Sequence, residues 1–335
     1  MKLISYFIFT LTSALLLCSS AVKAHHSHAN IDKDDVRIFK GIVEKYAWNM
    51  PHVYMKVQAV NDRGEVVRYS IEMQSPPPMA QFGWSKNSFK KGDPILWKGA
   101  HDRNKTRYYT DLEWAELPDG SRLYLSNRGP EKPVIPSTDF SGLWDRDDVG
   151  GFMPHYNPPQ GWPLTERGQS LVDNFHEDQN PMIDCGNPGP PKAMLIPYPI
   201  EIRRPDESTI IIERELMPEV RTIYLNNAPA VKSPSALGHS LGRFENGILM
   251  VETDNFIADR WGTHTGIDSS TQKTLIEQFS LSDDGLYLHA EITVSDPVYL
   301  KEPETFTHRW RKISDREVIQ APCTEESAKL YLQAP

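Results

Sequence analysis

Histidines are concentrated near the start of the chain, directly after an apolar segment. His25, His26 and His28 follow Val22-Lys-Ala24, whose small residues are typical of the positions that signal peptidase reads. Cleavage after Ala24 would leave His25 as the first residue, with a free α-amine beside its imidazole. Paired nitrogen ligands suit Cu(II), the divalent first-row ion that such sites bind most tightly. These histidines therefore predict a metal site, with copper favoured.

His52 is the candidate for a further ligand from the folded part of the chain. It follows Pro51 in the stretch Trp48-Asn-Met-Pro-His52. Two alternatives stay open. Residues 25–28 could belong to a disordered tail that binds copper adventitiously, and His52 could be a structural residue that makes one hydrogen bond.

A second group of residues could support acid–base chemistry. Gly238-His-Ser-Leu-Gly242 fits the Gly-x-Ser-x-Gly nucleophile elbow, which requires a strand, a sharp turn and a following helix. A hairpin pattern follows here, which argues against a serine hydrolase and favours a glycine bulge. The remaining hypothesis places His239 in the mouth of a barrel as acid or base, with Glu201, Glu213 or Asp254 as its carboxylate partner.

The start of the chain has the composition of a signal peptide. Lys2 supplies a positive charge, and the uncharged run Leu3–Leu17 is short for a membrane span. A retained anchor and a lipoprotein attached through Cys18 are the alternatives. Loss of the leader leaves Cys185 and Cys323, an even number in an oxidising compartment, which predicts one disulfide rather than two metal-bound thiolates. We expect a protein of the periplasm or the extracellular space.

The charge balance argues against several classes of partner. The 335 residues carry a formal net charge of −9, which becomes −11 when Lys2 and Lys23 leave with the signal peptide. Proteins that bind a nucleic-acid backbone or anionic lipid usually present a basic face. No second apolar run approaches the length of a membrane span. We expect a metal ion or a small molecule as partner, with no nucleic acid and no transmembrane segment after cleavage.

Period-two apolar patterns separated by turn signals predict an all-β chain. After the signal peptide at 1–24 and a histidine-bearing tail at 25–35, about five short strands and one small helix occupy residues 36–128. This count suggests a small barrel of the OB type. Three prolines mark residues 129–138 as a linker to a second module at 139–335.

The second module begins with an irregular stretch that contains one short predicted helix at Thr165–Phe175. From Ile200 onward seven or eight strands follow, with hairpin turns at Glu245-Asn-Gly and Asp283-Asp-Gly. This series fits a closed up-and-down antiparallel barrel, with a sandwich as the main alternative.

Gly142-Leu-Trp144 opens the second module and resembles the Gly-x-Trp of lipocalin-type barrels. In such barrels an Arg of the last strand often stacks on the Trp, and Arg309 and Arg311 are the candidates here. A lipocalin-like barrel would hold a hydrophobic small molecule. We expect four side chains to contact that ligand: Trp144, Tyr198, Arg243 and Arg309.

Motifs along the chain resemble those of a known group of sequences. The start His25-His-Ser-His-Ala29, the Pro51-His52 stretch and Lys91-Gly-Asp are similar to an uncharacterised family of exported bacterial proteins that begin with His-His-Ser and carry Asn-Pro-His. Met50 stands where that family has Asn, so a site that needs this amide is not available here. The second module is similar to a domain often fused to that family, through Asp139-Phe-Ser-Gly-Leu-Trp, Cys185-x-x-Pro-Gly, Pro197-Tyr-Pro-x-Glu-Ile, Gly238-His-Ser-Leu-Gly-Arg and the late Cys323. The resemblance implies export and this fold, and it implies no activity.

Together these features predict an exported binding protein. It would hold a copper ion at the N-terminal histidines, a hydrophobic small molecule in the second barrel, or both. The alternative is an enzyme of hydratase, lyase or isomerase type that converts an apolar substrate, with His239 as acid or base. That alternative rests on fold analogy.

Overall fold

Two closed β-barrels follow one another along the chain, and the all-β prediction is confirmed. The computed structural model describes residues 31–125, 133–147, 161–196, 198–216, 219–225, 233–314, 316 and 318–329. No helix within these ranges is long and apolar enough to cross a membrane.

Five strands close the first barrel. Its elements are β1 (Ile31–Ala47), β2 (Tyr54–Val60), β3 (Val66–Glu72), α1 (Pro76–Gln81), β4 (Pro94–Asp102), β5 (Tyr109–Thr110), β6 (Trp114–Glu116) and β7 (Arg122–Tyr124). The order β1-β2-β3-β5-β4 returns to β1, and β3 runs parallel to β5, which is an OB-like arrangement. β6 and β7 extend the sheet from β4. β1 includes residues 31–35, which the sequence pattern assigns to the tail.

The core of the first barrel forms because inward and outward residues alternate along its strands. Met55 and Val57 on β2 are fully buried on the inner face, and Trp97 of β4 stacks on Phe39 of β1 with ring centroids 5.0 Å apart. The indole nitrogen of Trp97 donates a hydrogen bond to Thr110, so the buried ring leaves no polar atom unsatisfied.

Nine strands close the second barrel, more than the seven or eight predicted. They are β8 (Gly142–Arg146), β9 (Ile200–Asp206), β10 (Thr209–Arg214), β11 (Val220–Tyr224), β12 (His239–Glu245), β13 (Ile248–Asp254), β16 (Thr274–Leu281), β17 (Tyr287–Ser295) and β18 (Glu304–Lys312). The difference arises because β8, which precedes the predicted series, pairs with both β18 and β9. One pair, β11 with β12, is parallel, so the barrel is not the purely antiparallel one expected.

Shorter elements cover the second barrel. They are α2 (Glu166–Asp173), 3-10 turns at Glu177–Gln179 and Pro181–Asp184, α3 (Lys192–Leu195), the hairpin β14 (Asp259–His264) with β15 (Ile267–Ser269), and α4 (Glu325–Ala328). The helix predicted at Thr165–Phe175 is present as α2, with the Thr165 hydroxyl accepting a hydrogen bond from the Gly168 amide as the N-cap.

Lys312, and not Arg309 or Arg311, lies over the Trp144 ring, with its Nζ 5.8 Å from the ring centroid. The prediction was wrong because alternation along β18 turns Phe306, His308, Trp310 and Lys312 inward and the two arginines outward. Gly142 is required beside this pair. Its φ is +125°, and a Cβ there would lie 2.2 Å from Nζ of Lys312.

A buried ion pair connects four neighbouring strands of the second barrel. Arg221 on β11 contacts Glu277 on β16 with both terminal guanidinium nitrogens. The same guanidinium donates to Ser240 on β12 and Thr253 on β13. Every partner is 5% exposed or less. The network crosses the parallel β11–β12 pair, where only Ile223↔Ser240 and Tyr224↔Leu241 hold the backbone register.

The two barrels are joined by residues 318–329, which we call the distal segment. Cys323 in this segment forms a disulfide with Cys185, as predicted, and the two Cα atoms lie 5.9 Å apart. The segment crosses to the first barrel, where Met50 forms a parallel bridge with Cys323. A small apolar cluster fills the junction: Met50, Ile196, Leu216 and Ala321, with Trp48, Met182, Tyr198 and Cys323 at its edge.

Candidate functional site

His52 and Glu72 form a close pair at the junction. Nδ1 of His52 lies 2.7 Å from Oε1 of Glu72, whose side chain is 1% exposed, whereas a third of the His52 side chain is accessible. Nδ1 is therefore the ring nitrogen that faces the carboxylate, and Nε2 is on the other side of the ring. The pair comes together because Glu72 ends β3 opposite Tyr54, two residues after His52.

The backbone of His52 is held by the distal segment. The Ser327 hydroxyl donates to the His52 carbonyl and accepts from the His52 amide at 3.3 Å. On the preceding residues, the Met50 amide donates to the Pro322 carbonyl at 2.9 Å. Both the side chain and the main chain of His52 are therefore fixed by neighbours.

Charged groups surround the buried Tyr54 beside this pair. Nζ of Lys45 and of Lys56, which face each other across β1 and β2, lie 5.2 and 5.9 Å from the Tyr54 ring centroid. Burial lowers the pKa of Lys56 and raises that of Tyr54. The carboxylate of Glu326 binds Lys45, and this hydrogen bond raises the pKa of Lys45 and lowers that of Glu326.

The chain enters the first barrel close to this pair. Ile31, the first described residue, packs in one apolar cluster with Tyr54, Tyr109, Ala47 and Ala100. The predicted ligands His25, His26 and His28 lie outside the described residues. Among the residues that the structure does describe, no group of three or more metal-ligating side chains comes together, so His52 and Glu72 need further ligands to hold an ion.

Of the carboxylates proposed for acid–base chemistry, Asp254 lies opposite His239 and the other two do not meet it. Inward positions of β12 are Ser240 and Gly242, so His239 lies on the outer face, where its ring stacks on Tyr224 at 5.5 Å. This placement corrects the expectation that His239 faces the barrel mouth. Asp254 is its backbone partner on β13 and is exposed, whereas His239 is half-buried.

Glu201 and Glu213 pair with each other across β9 and β10, on the outer face of the barrel. Arg203 binds both of these carboxylates. β10 and β11 separate Glu201 from His239 in the strand order, so the structure does not bring the predicted pair together.

The four residues expected to contact a barrel ligand lie in three different environments. Trp144 is fully buried in the core, and its indole nitrogen donates to the Phe140 carbonyl. Arg243 and Arg309 are on the outer face, paired with Glu245, Glu252 and Asp147.

Tyr198 lies at the junction of the two barrels. Its hydroxyl donates to the Pro51 carbonyl at 3.4 Å, and burial raises its pKa to about 12. A buried, protonated phenol is suited to a contact between the barrels.

Side chains occupy the interior of the second barrel. Its core includes Trp144, Trp310, Phe279, Ile210 and Ile292, all between 0 and 1% exposed. A cavity of about 470 Å³ is lined mainly by polar and charged groups, which include buried side chains as well as outward-facing ones: Arg146, Asp147, Gln278, Ser280, His289, Glu291, Thr307, His308 and Arg309, with Ile248 and Ala290.

Two features of the site were not predicted from the sequence. Glu72 carries no motif, and only the β2–β3 register places it against His52. Ser327 is 275 residues from His52 in the sequence and reaches it through the distal segment. The sequence offered one signal for the Ser327 contact, which was Cys323. A disulfide from Cys323 to Cys185 ties the distal segment to the turn at Pro181–Asp184.

The family match falls on the first barrel. Residues 14–110 match the model of a family of unknown function, DUF6152. The match is consistent with the resemblance to an uncharacterised family, and it includes His25, His26, His28, His52 and Glu72. No curated protein matches this chain.

Proposed function

We propose that this chain is an exported metal-binding protein that holds Cu(II) with His52 and the N-terminal histidines. His25 would supply its α-amine and imidazole, and His26 or His28 a further nitrogen. His52 would contribute Nε2 from the first barrel. We further propose that the first barrel is the His-His-Ser module of the uncharacterised family and that the second is a lipocalin-like module fused to it.

The close approach of His52 Nδ1 to the buried carboxylate of Glu72 is the observation that carries this proposal. Metal-binding histidines characteristically donate their second ring nitrogen to a carboxylate, which fixes the tautomer and makes the other nitrogen more basic. Glu72 is buried and holds Nδ1 at 2.7 Å, so Nε2 is the nitrogen available to an ion. A third of the side chain is accessible, which allows ligands from another segment to approach.

The position of Ile31 supports the contribution of the N-terminal histidines. Ile31 shares an apolar cluster with Tyr54, and Tyr54 is two residues from His52. Three extended residues span at most about 10 Å, and six span about 20 Å. His28 and His25 are three and six residues before Ile31, so a shared site requires His52 to lie within about these distances of Ile31.

Export is supported by the leader pattern and by the disulfide. Cys185 and Cys323 are the only cysteines left after cleavage at Ala24, and they are bonded to each other. Structural disulfides are typical of oxidising compartments. We propose the periplasm or the extracellular space as the location of the mature protein.

The geometry favours this function over the two others predicted. A hydrophobic ligand in the second barrel would have to displace the aromatic and aliphatic side chains that occupy its core. An enzyme that uses His239 would need a carboxylate beside it in a cleft, and its cross-strand neighbour Asp254 is exposed on the outer face of the barrel.

Copper titration of the mature protein tests the proposal. Protein that begins at His25 is titrated with Cu(II) against a competing chelator, and electron paramagnetic resonance counts the coordinated nitrogens. We expect one tight site, at least about tenfold weaker in His52→Ala. A version with one glycine before His25 should lose the α-amine ligand and bind more weakly.

His289→Ala is the matched control, because His289 is an exposed histidine of the second barrel. It should bind as the native protein does. Equal affinity of the native protein, His52→Ala and the glycine-extended version would refute the site.

A further inference from the structure

We infer that the Cys185–Cys323 disulfide is a redox latch that holds the distal segment against His52, so that its reduction loosens His52 and weakens the proposed metal site. The inference rests on the proposed function for its metal part. The latch itself is argued from the described residues and can be tested without a metal.

Hydrogen bonds connect the distal segment to three residues of the first barrel, Asn49, Met50 and His52. Asn49 donates to the Thr324 hydroxyl at 3.1 Å, and the Thr324 amide donates to the Met50 carbonyl at 3.4 Å. Ser327 bonds both the amide and the carbonyl of His52. Cys323 is therefore flanked on both sides by residues that hold the His52 loop.

The start of the distal segment has its own anchor on the second barrel. Glu215 is fully buried, receives a two-nitrogen ion pair from Arg316 and accepts from the Ile319 amide at 3.0 Å. This anchor lies before Cys323, so it does not fix the residues that contact His52.

Beyond Cys323, the attachments other than the disulfide are the hydrogen bonds of Thr324 and Ser327 and two ion pairs. The Lys45–Glu326 and Lys329–Asp184 ion pairs are partly exposed, and such pairs contribute little to stability. The disulfide keeps this stretch at high effective concentration beside the His52 loop. When the disulfide is broken, the residues after Cys323 must bind the His52 loop without this covalent link.

The latch can be opened by an external dithiol. One thiolate attacks a sulfur of the disulfide and forms a mixed disulfide, and the second thiol displaces the protein thiolate. The Cys185–Cys323 bond breaks, two electrons pass from the dithiol to the protein, and the dithiol becomes a disulfide. Its two protons end on the two cysteine sulfurs. Both cysteines are half-buried, so part of each residue is accessible.

Amide hydrogen exchange tests the latch directly. The Met50 and His52 amides donate to the distal segment, whereas the Val53 amide donates to the Gln74 carbonyl within the first barrel. In Cys185→Ser/Cys323→Ser we expect exchange at Met50 and His52 to accelerate at least tenfold. Val53 is the internal control and should keep its rate.

Copper affinity tests the consequence for the site. Serine replacements avoid new thiolate ligands, and we expect Cu(II) to bind Cys185→Ser/Cys323→Ser about tenfold more weakly than the native protein. Ser327→Ala should weaken binding when the disulfide is intact and add little when it is absent, because both changes remove the same contact. Ser282→Ala, a loop hydroxyl of the second barrel, is the control.

The outcomes separate the two proposals. Unchanged exchange at Met50 and His52 overturns the latch, whether or not copper binds. Faster exchange with unchanged, His52-dependent copper affinity overturns the link between latch and site. Copper binding that does not depend on His52 in the oxidised protein overturns the metal site and leaves the exchange result to decide the latch. If the double variant does not fold, Ser327→Ala and phosphine-reduced native protein replace it.

Discussion

Glu72 holds the imidazole of His52 at 2.7 Å from a position that is almost completely buried. The carboxylate is at the end of β3, and its distance from solvent means that its charge must be compensated by neighbours rather than by water. The imidazole of His52 does this, and the contact orients the ring. The same contact serves stability and ligand geometry, so the two effects have to be separated by the choice of variant.

Glu72→Gln separates them. Glutamine keeps the shape and can still accept from Nδ1, but it lacks the charge that makes Nε2 more basic. We expect Cu(II) affinity to fall between tenfold and about 100-fold, measured by chelator competition. The exposed turn residue Glu207 supplies the control Glu207→Gln, which should bind like the native protein. Native-like affinity of Glu72→Gln would show that Glu72 does not tune His52.

The Arg221–Glu277 pair predicts a large and asymmetric stability effect. Replacing one partner, as in Glu277→Leu, leaves a buried charge alone and should lower the free energy of unfolding by about 3–5 kcal/mol. The double variant Arg221→Met/Glu277→Leu should recover most of this loss. Urea unfolding measures both. A single variant that costs less than about 1 kcal/mol would contradict a buried ionic role.

Met50→Asn tests why an apolar residue precedes Pro51-His52. Met50 is fully buried among residues of the second barrel, so an amide there would be desolvated in an apolar cluster. We expect Met50→Asn to cost about 2–4 kcal/mol and Met50→Leu less than about 1.5 kcal/mol. Both variants keep the backbone hydrogen bonds of Met50. Equal costs in denaturant unfolding would show that polarity at this position is irrelevant.

Lys273 predicts a pH dependence of stability. The residue is 2% exposed, and its ammonium donates to the carbonyls of Pro190 and Gly262 and lies 4.1 Å from the Phe256 ring centroid. Burial lowers its pKa to about 8, from 10.5 in the unfolded chain. Between these values the unfolded chain binds more protons, so the free energy of unfolding rises with pH, by at most about 3 kcal/mol.

Lys273→Met should remove this rise between pH 8 and 10.5. The measurement is the difference in unfolding free energy between native protein and variant across that range, because other lysines and tyrosines cancel in the difference. Lys301→Met, at an exposed lysine, is the control and should keep the native slope. A parallel pH profile for Lys273→Met would contradict the depressed pKa.

Local patterns predicted the local parts of the fold. The hairpin between β12 and β13 turns at Asn246-Gly247, both with positive φ, as the Asn-Gly signal indicates. Period-two alternation also marked Tyr287–Ser295 as a strand, and its apolar positions are the buried ones. The ninth strand was missed because the pairing of β8 with β18 joins distant parts of the chain, and no short-range pattern reports such a pair.

The candidate site was predicted only in part, for the same physical reason. His52 was identifiable by its type and its position after Pro51. Glu72 and Ser327 were not, because a strand register and a covalent link far along the chain place them. His239 was placed on the wrong face because Gly-x-Ser-x-Gly gives no information on which side of the strand its histidine points.

The pairing of Trp144 with Lys312 sets the order in which the second barrel can fold. Hairpins such as β16–β17 and β17–β18 close short loops, which is fast. Joining β8 to β18 closes a loop that spans nearly the whole module and costs more chain entropy than any hairpin. We therefore expect an open sheet to form first and the ring to close last, where the Trp144 strand docks.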